Sequence, residues 1–203
     1  MKLGIDRWFG YNCQGKAHTF YPAYLWDNDK KVTLNEPEVP GHDTLKPGEN
    51  GDDAVTYRRF MGQHYSADVI NEQARRFVRD NKDRPFFCYV PTTVPHLALQ
   101  VPDDSLAAYQ GRLGDDPPYK GGRGYLPHFA PRAAYAAMIS RMDAEVGRMM
   151  SLVQELGLDE RTLFVFTSDN GGLGDTHQGL AGTDAAFFNS CGGLRDGKGS
   201  LYE

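Results

Sequence analysis

Two short apolar runs set the terms for the fold. One is 86–91, FFCYVP; the other is 162–167, TLFVFT, which continues directly into SDNGG. Each is rich in aromatic and β-branched residues and bounded by turn residues, the pattern of a strand buried on both faces. Between them, over 132–156, Tyr135, Met138, Met142, Val146, Met149 and Val153 recur at helical spacing, and Gly157 stands where a helix C-cap is expected. Strand, crossover helix, strand is a βαβ unit, so the two strands are expected to be parallel with a right-handed connection. Their C-terminal ends then meet one sheet edge, where open α/β sheets bind ligands.

A further helix is expected over 66–81. Ser66 can accept from the free N–H groups of the first turn, Asp68 suits the positive end of the dipole, and Ile70, Ala74, Phe77 and Val78 share one face. Residues 103–110 fit a short helix, and Cys88 reads as core. Residues 1–62 show little periodicity, although DRWFGY and TFYPAYLW suit core segments under an irregular connection. The stretches 32–53 and 111–131, rich in Gly, Pro and polar residues, read as long surface loops, and loops of that length are commonly functional or mobile. Beyond Asp169 the chain reads as loop to its end.

Composition narrows the function classes. A net charge of −5 offers no basic footprint for nucleic acid. No apolar run approaches the ~18 residues of a membrane span, and the first residues lack the unbroken apolar core of a signal peptide. Three cysteines, without a CxxC pair, indicate neither a disulfide framework nor a zinc site.

The chemistry gathers at the strand ends. Asp169 and Asn170 place a carboxylate beside an amide oxygen, hard ligands suited to Ca²⁺ or Mg²⁺. The competing reading is a plain Asp-Asn-Gly turn whose side chains cap their own backbone. His96 follows the first apolar run at the same expected edge, so it and the Asp169/Asn170 pair fall in one crevice. Lys198 sits between glycines in GGLRDGKG, where an anion can approach closely; an ordinary solvated lysine is the alternative. This segment is not a P-loop: Gly199 stands where Ser or Thr is needed, and no strand and helix flank it.

Four blocks resemble the sulfatases of the arylsulfatase type, within the alkaline-phosphatase-like superfamily. They are YSADVINEQARRFVRDNKDRPFFCYVPTTVPHLALQVPDD, YAAMISRMDAEVGRMMSLVQELGLDERTLFVFTSDNGG, AAFFNSCGGLRDGKGSLYE and, more loosely, GIDRWFGYNCQGKAHTFYPAYLW. The resemblance implies an α/β sandwich with a mainly parallel central sheet and helices on both faces. It implies that Asp169 and Asn170 ligate a divalent cation, Ca²⁺ before Mg²⁺, that His96 contacts the sulfate group, and that Lys198 binds sulfate and offsets charge on the leaving oxygen. His177, Asp184 and the Phe187/Phe188 pair become candidates to line the substrate pocket. The partner implied is a sulfated small molecule or carbohydrate, and the location implied is periplasmic or secreted.

The family's nucleophile is a formylglycine made from cysteine in C-x-P/A-x-R. None of CQGKA, CYVPT and CGGLR supplies that segment; the Cys191 run has the Arg but Gly in place of Pro or Ala. A metal-binding aspartate pair and a G-K-x-H segment are also absent. Residues 1–203 are therefore expected to be an internal part of one sulfatase catalytic domain, truncated at both ends, inactive alone, with the formylglycine on the N-terminal part. Two alternatives stand beside this: a phosphate or phosphonate ester hydrolase of the superfamily, and a non-catalytic protein that binds anions or sulfated glycans.

Overall fold

The computed structural model describes residues 4–201. The ends of the chain, including the last two residues of LYE, lie outside that range.

The N-terminal part, which shows no clear periodicity, forms a three-stranded antiparallel sheet in the order β1 (Phe9–Gly10), β2 (Tyr24–Asp27), β3 (Lys30–Thr33). Asp27 pairs with Lys30, so Asn28 and Asp29 alone make the turn. Asn28 takes φ +55, a left-handed conformation that Asn tolerates better than most residues. It also ties the turn to the start of the chain: its N–H donates to the Trp8 carbonyl at 2.9 Å, and its Oδ1 accepts from the Trp8 N–H at 2.9 Å.

The segment TFYPAYLW is core as expected. Phe20 and Leu25 are wholly buried, and Phe20 and Tyr21 pack in one cluster with Tyr65, Leu97, Leu99, Leu126 and Met138. Two buried amides hold the irregular backbone around that cluster. Gln100 Oε1 accepts from the Phe20 N–H at 2.8 Å, and its Nε2 donates to the Phe60 carbonyl at 2.8 Å. Asn35 Nδ2 donates to the carbonyls of Pro22 and His64, and its Oδ1 accepts from the N–H groups of Gln63 and His64. Every hydrogen-bonding position of the Asn35 amide is thereby filled.

The helices are α1 (Ser66–Asp80), α2 (Asp103–Leu106) and α3 (Pro131–Glu155); α1 and α3 form where the apolar spacing places them, and α2 ends short of the expected 103–110, with residues 107–110 in turns. Ser66 is the first residue of α1 rather than its cap; its hydroxyl pairs with the Tyr11 hydroxyl at 2.6 Å. Beyond α3, Gly157 has φ +66, and the Leu158 N–H returns to the Val153 carbonyl at 3.0 Å, closing the helix in a left-handed cap. α1 and α3 pack through Val78, Leu152 and Val153. Charge fixes their register: Arg141 on α3 grips Asp68 on α1 through two nitrogens, and Arg75 pairs with the buried Glu145. Burial pushes the Glu145 carboxyl up, but Arg148 and Arg75 outweigh it and hold it below the usual range.

The expected parallel pair departs from the sequence reading. Residues 86–91 and 162–167 are neither helix nor strand, and no ladder joins them among the described residues. They are not buried on both faces either. Phe86 and Cys88 lean on the α1/α3 cluster, while Phe87 is 86% exposed and Leu163 87% exposed. The physical reason is pairing. A strand is held by hydrogen bonds to neighbouring strands, and none of the described residues pairs with these two in a ladder. The tail beyond Asp169 also carries more structure than a loop. It folds 3₁₀ turns over Asp175–His177 and Leu180–Gly182 and a one-turn helix, α4 (Ala185–Phe188).

Candidate active site

Asp169 and Asn170 lie just past the second apolar run, in the turn that opens the glycine segment 171–174. The Ser168 hydroxyl donates to the Asn170 carbonyl at 2.8 Å, which shapes the turn. The Asp169 carboxylate is exposed and takes no hydrogen bond or ion pair among the described residues. Among the described residues neither side chain caps the turn. Two uncommitted hard oxygen donors fit a Ca²⁺-type cation in chemistry. They do not complete a coordination sphere. No cluster of three or more His, Cys, Asp or Glu suited to a metal occurs among the described residues.

Glycine brings Lys198 to this turn. The Lys198 N–H donates to the Gly172 carbonyl at 2.7 Å. A Cβ on Gly197 would stand 2.3 Å from that carbonyl oxygen and 2.7 Å from the Gly174 nitrogen, so only glycine permits the approach. His177 follows in the adjoining 3₁₀ turn, with Nδ1 3.0 Å from the Thr176 hydroxyl. The nearby Asp196 carboxyl is held low first by the backbone bond from Gly197, then by Ser200 and Arg195, with His177 last. Asp169, Asn170, His177 and Lys198 thus belong to one folded loop assembly.

Asp184 is committed elsewhere in that assembly. Its carboxylate accepts from Gln178 Nε2 at 2.8 Å, from the Phe187 N–H at 3.1 Å and from Arg132 at 2.8 and 2.6 Å. The Gln178 bond first, with Phe187 and Arg132, holds its pKa below the usual carboxylate range. Asp184 caps α4 and pins the loop to α3. Phe187 lies under the Arg132 guanidinium at 4.3 Å, and Phe188 packs on Tyr135 at 5.0 Å.

His96 sits in a different neighbourhood. Its Nδ1 faces the Leu97 carbonyl at 2.7 Å, and its ring contacts those of His18 and Tyr125, against both of which His42 packs in turn. No hydrogen bond or ring contact joins His96 to Asp169, Asn170 or Lys198 among the described residues. The 119–125 segment links the two groups. Tyr125 touches His96, while Arg123 Nη1 donates to the Gln178 carbonyl at 3.0 Å and the Arg123 carbonyl accepts from the Ala181 N–H. Sequence reasoning did not single out His18, His42 or Tyr125. Isolated in irregular stretches, they carry no spacing signal; the one available cue was that two long loops had to serve something.

Against known protein families, the chain matches the family model described as Sulfatase over residues 4–197. The chain belongs to the sulfatase family. It is similar to an uncharacterized sulfatase of Schizosaccharomyces pombe, 24% identical over 88% of this chain and 37% of that protein. An arylsulfatase of Klebsiella aerogenes is 28% identical over 53% of this chain and 30% of that protein. An N-acetylgalactosamine-6-O-sulfatase of Bacteroides thetaiotaomicron is 30% identical over 68% and 23%. This sulfatase chain therefore spans about a third of the length of the curated relatives it matches. A solved structure, Ps i-CgsB in complex with k-i-k-neocarrahexaose, superposes with a TM-score of 0.56 at 24% identity, covering 89% of this chain and 28% of that one. That likeness and the family match give the sulfatase chain an alkaline-phosphatase-like α/β fold. No helix among the described residues is long and apolar enough to cross a membrane.

Proposed function

We propose that this chain is part of the catalytic domain of a sulfuric ester hydrolase and supplies the anion-handling side of its site. The observation that carries the reading is the seating of Gly197–Lys198 on Gly172–Gly174. It holds a lysine beside a turn that presents an uncommitted carboxylate and amide. A sulfate ester is already negative, and more charge gathers on the bridging oxygen as the S–O bond breaks. Fixed positive charge and hydrogen-bond donors at that oxygen lower the barrier. In this reading Lys198 and His96 contact the sulfate, Lys198 near the leaving oxygen, where it offsets the developing charge, and His96 as a donor. Asp169 and Asn170 would hold a divalent cation, Ca²⁺ first, which when bound supplies further positive charge to the sulfate oxygens.

The nucleophile is expected on a formylglycine outside these residues, since Cys13, Cys88 and Cys191 do not stand in C-x-P/A-x-R. Residues 1–203 are read as one internal part of a single catalytic domain. The exposed faces of 86–91 and 162–167 support this reading: strands on another part of the protein would pair with them and complete a mainly parallel sheet. The substrate class is a sulfated small molecule or carbohydrate. His177 would face it directly, and Asp184 would contribute by holding the wall that carries Phe187. A periplasmic or secreted location accompanies the family reading.

The test is hydrolysis of an aryl sulfate and the matching aryl phosphate by the complete protein. Sulfate turnover is expected to exceed phosphate turnover, and Lys198→Ala is expected to lower kcat by about 10²–10³-fold. Preference for the phosphate would move the chain to a phosphoesterase. Saturable sulfate binding without turnover would make it a binding protein.

A further inference from the structure

Around His96 the structure fixes the protons of two other histidines. The Tyr125 N–H donates to His42 Nδ1 at 3.1 Å, so Nδ1 is an acceptor and the His42 proton resides on Nε2. His42 Nε2 lies 3.1 Å from His18 Nδ1 and therefore donates to it. His18 Nδ1 is then also an acceptor, and the His18 proton resides on Nε2. That outer N–H has no protein partner among the described residues. His96 has the reverse arrangement: its Nδ1 faces a carbonyl, so Nδ1 holds the proton and Nε2 is bare in the neutral ring. The His18 and His96 rings stack nearly parallel, 10° apart with centroids at 5.7 Å.

This arrangement is built. Gly41 rests on His18 so closely that a Cβ there would stand 2.8 Å from the His18 Cβ and 3.1 Å from its backbone carbonyl. Tyr125 is held at φ +58, an unfavourable conformation for a residue with a side chain. Its ring stacks on His42 at 4.7 Å, with edge contacts to His18 and His96. The two long loops, 32–53 and 111–131, thus deliver His42 against His18 and Tyr125 against His96, the histidine read above as the sulfate contact.

We infer that His18 is a specificity-determining residue, presenting a neutral Nε2–H donor beside His96 to an uncharged oxygen of the sulfated substrate, with His42 and the Tyr125 backbone as its positioning groups. Burial, then the neighbouring His96 and His42, lower the His18 pKa. The division of labour follows from the assigned protons: His96 is the ring read as the sulfate contact, and the His18 Nε2–H is offered to a ring or hydroxyl oxygen next to it. The inference rests on the reading of His96 as a sulfate contact.

The experiment is a long-range ¹H–¹⁵N spectrum of the histidines in the complete protein, recorded with and without a sulfated monosaccharide and, separately, inorganic sulfate. His18 and His42 are expected as Nε2–H tautomers. The sugar sulfate should shift both His18 and His96, and inorganic sulfate His96 alone. His18→Phe, which retains a ring, is expected to weaken the sugar sulfate by about tenfold and inorganic sulfate by less than twofold; His18→Gln, which retains a donor, should recover most of the loss. His42→Phe should release the His18 tautomer while the fold remains. A shift of His96 without His18, or unchanged affinity in His18→Phe, overturns the inference and leaves the proposed function intact. No response of His96 to either ligand overturns both.

Discussion

The Lys198 N–H and the Gly172 carbonyl, 2.7 Å apart, are the joint on which the proposed anion site turns. One backbone bond ties the lysine loop to the turn bearing Asp169 and Asn170, and neighbouring glycines make room for it. Lysine position is therefore set by backbone packing rather than by its own side chain.

Gly197→Ala should break that joint. Its methyl would fall 2.3 Å from the Gly172 oxygen, and both neighbours are backbone, which cannot swing aside. Destabilisation of about 1–3 kcal/mol is expected, as for overpacked sites, together with loss of aryl sulfate turnover in the complete protein. Urea unfolding and a turnover assay measure the two parts. A variant with normal midpoint and normal turnover would show that the loop does not need this contact.

Asp169→Ala is expected to remove the stabilisation that Ca²⁺ confers. A ligand that binds only the folded state raises the melting temperature with its concentration. The complete wild-type protein should melt higher in Ca²⁺ than in chelator, and the variant should melt alike in both. Equal Ca²⁺ responses in the two proteins would remove Asp169 from the ligand set.

Asn35→Leu should cost about 2–4 kcal/mol, because it leaves the Pro22 and His64 carbonyls and the Gln63 and His64 N–H groups without their partners. The measurement is a denaturant midpoint. A loss under half a kcal/mol, on the order of an ordinary surface change, would mean that water replaces the amide.

Acid should unfold the protein partly through His128. Burial lowers its pKa to about 4, against about 6.5 in an unfolded chain. Between those values the unfolded state takes a proton that the folded state refuses. The His128 contribution is therefore complete above pH ~6.5 and is lost as pH falls toward 4, up to about 3 kcal/mol. His128→Asn should show a flatter stability profile across that window than the wild type, by chemical denaturation at several pH values. Parallel profiles would place His128 outside the linkage.

Much of this was legible from the residues. Ile70, Ala74, Phe77 and Val78 predicted α1, and the Tyr135–Val153 spacing predicted α3, because helical periodicity is a local signal. Phe20 and Tyr21 were readable as core from their aromatic density. The apolar runs 86–91 and 162–167 gave composition without pairing; pairing depends on residues far away in sequence, and among the described residues neither run becomes a strand. The β2–β3 hairpin was missed, although Asn28-Asp29 between WD and KK is a two-residue turn; surrounding aromatics obscured the alternation. Asp169, Asn170 and Lys198 stood out through their glycine-rich settings. His18, His42 and Tyr125 did not, because nothing local relates three residues that meet only after two long loops have folded.

Asn35 and Leu45 bracket the segment that delivers His42. The first is anchored through its saturated amide, and the second through its N–H to the Lys120 carbonyl at 3.2 Å. With both ends fixed, the chain between them acts as a spacer of set length, and Gly41 meets His18 only at that length. Substitutions on its outer side are free to accumulate, but gaining or losing a single residue would rotate His42 away from its partner. This stretch is expected to diverge among relatives by exchange of residues and to resist insertions and deletions, unlike an ordinary surface loop.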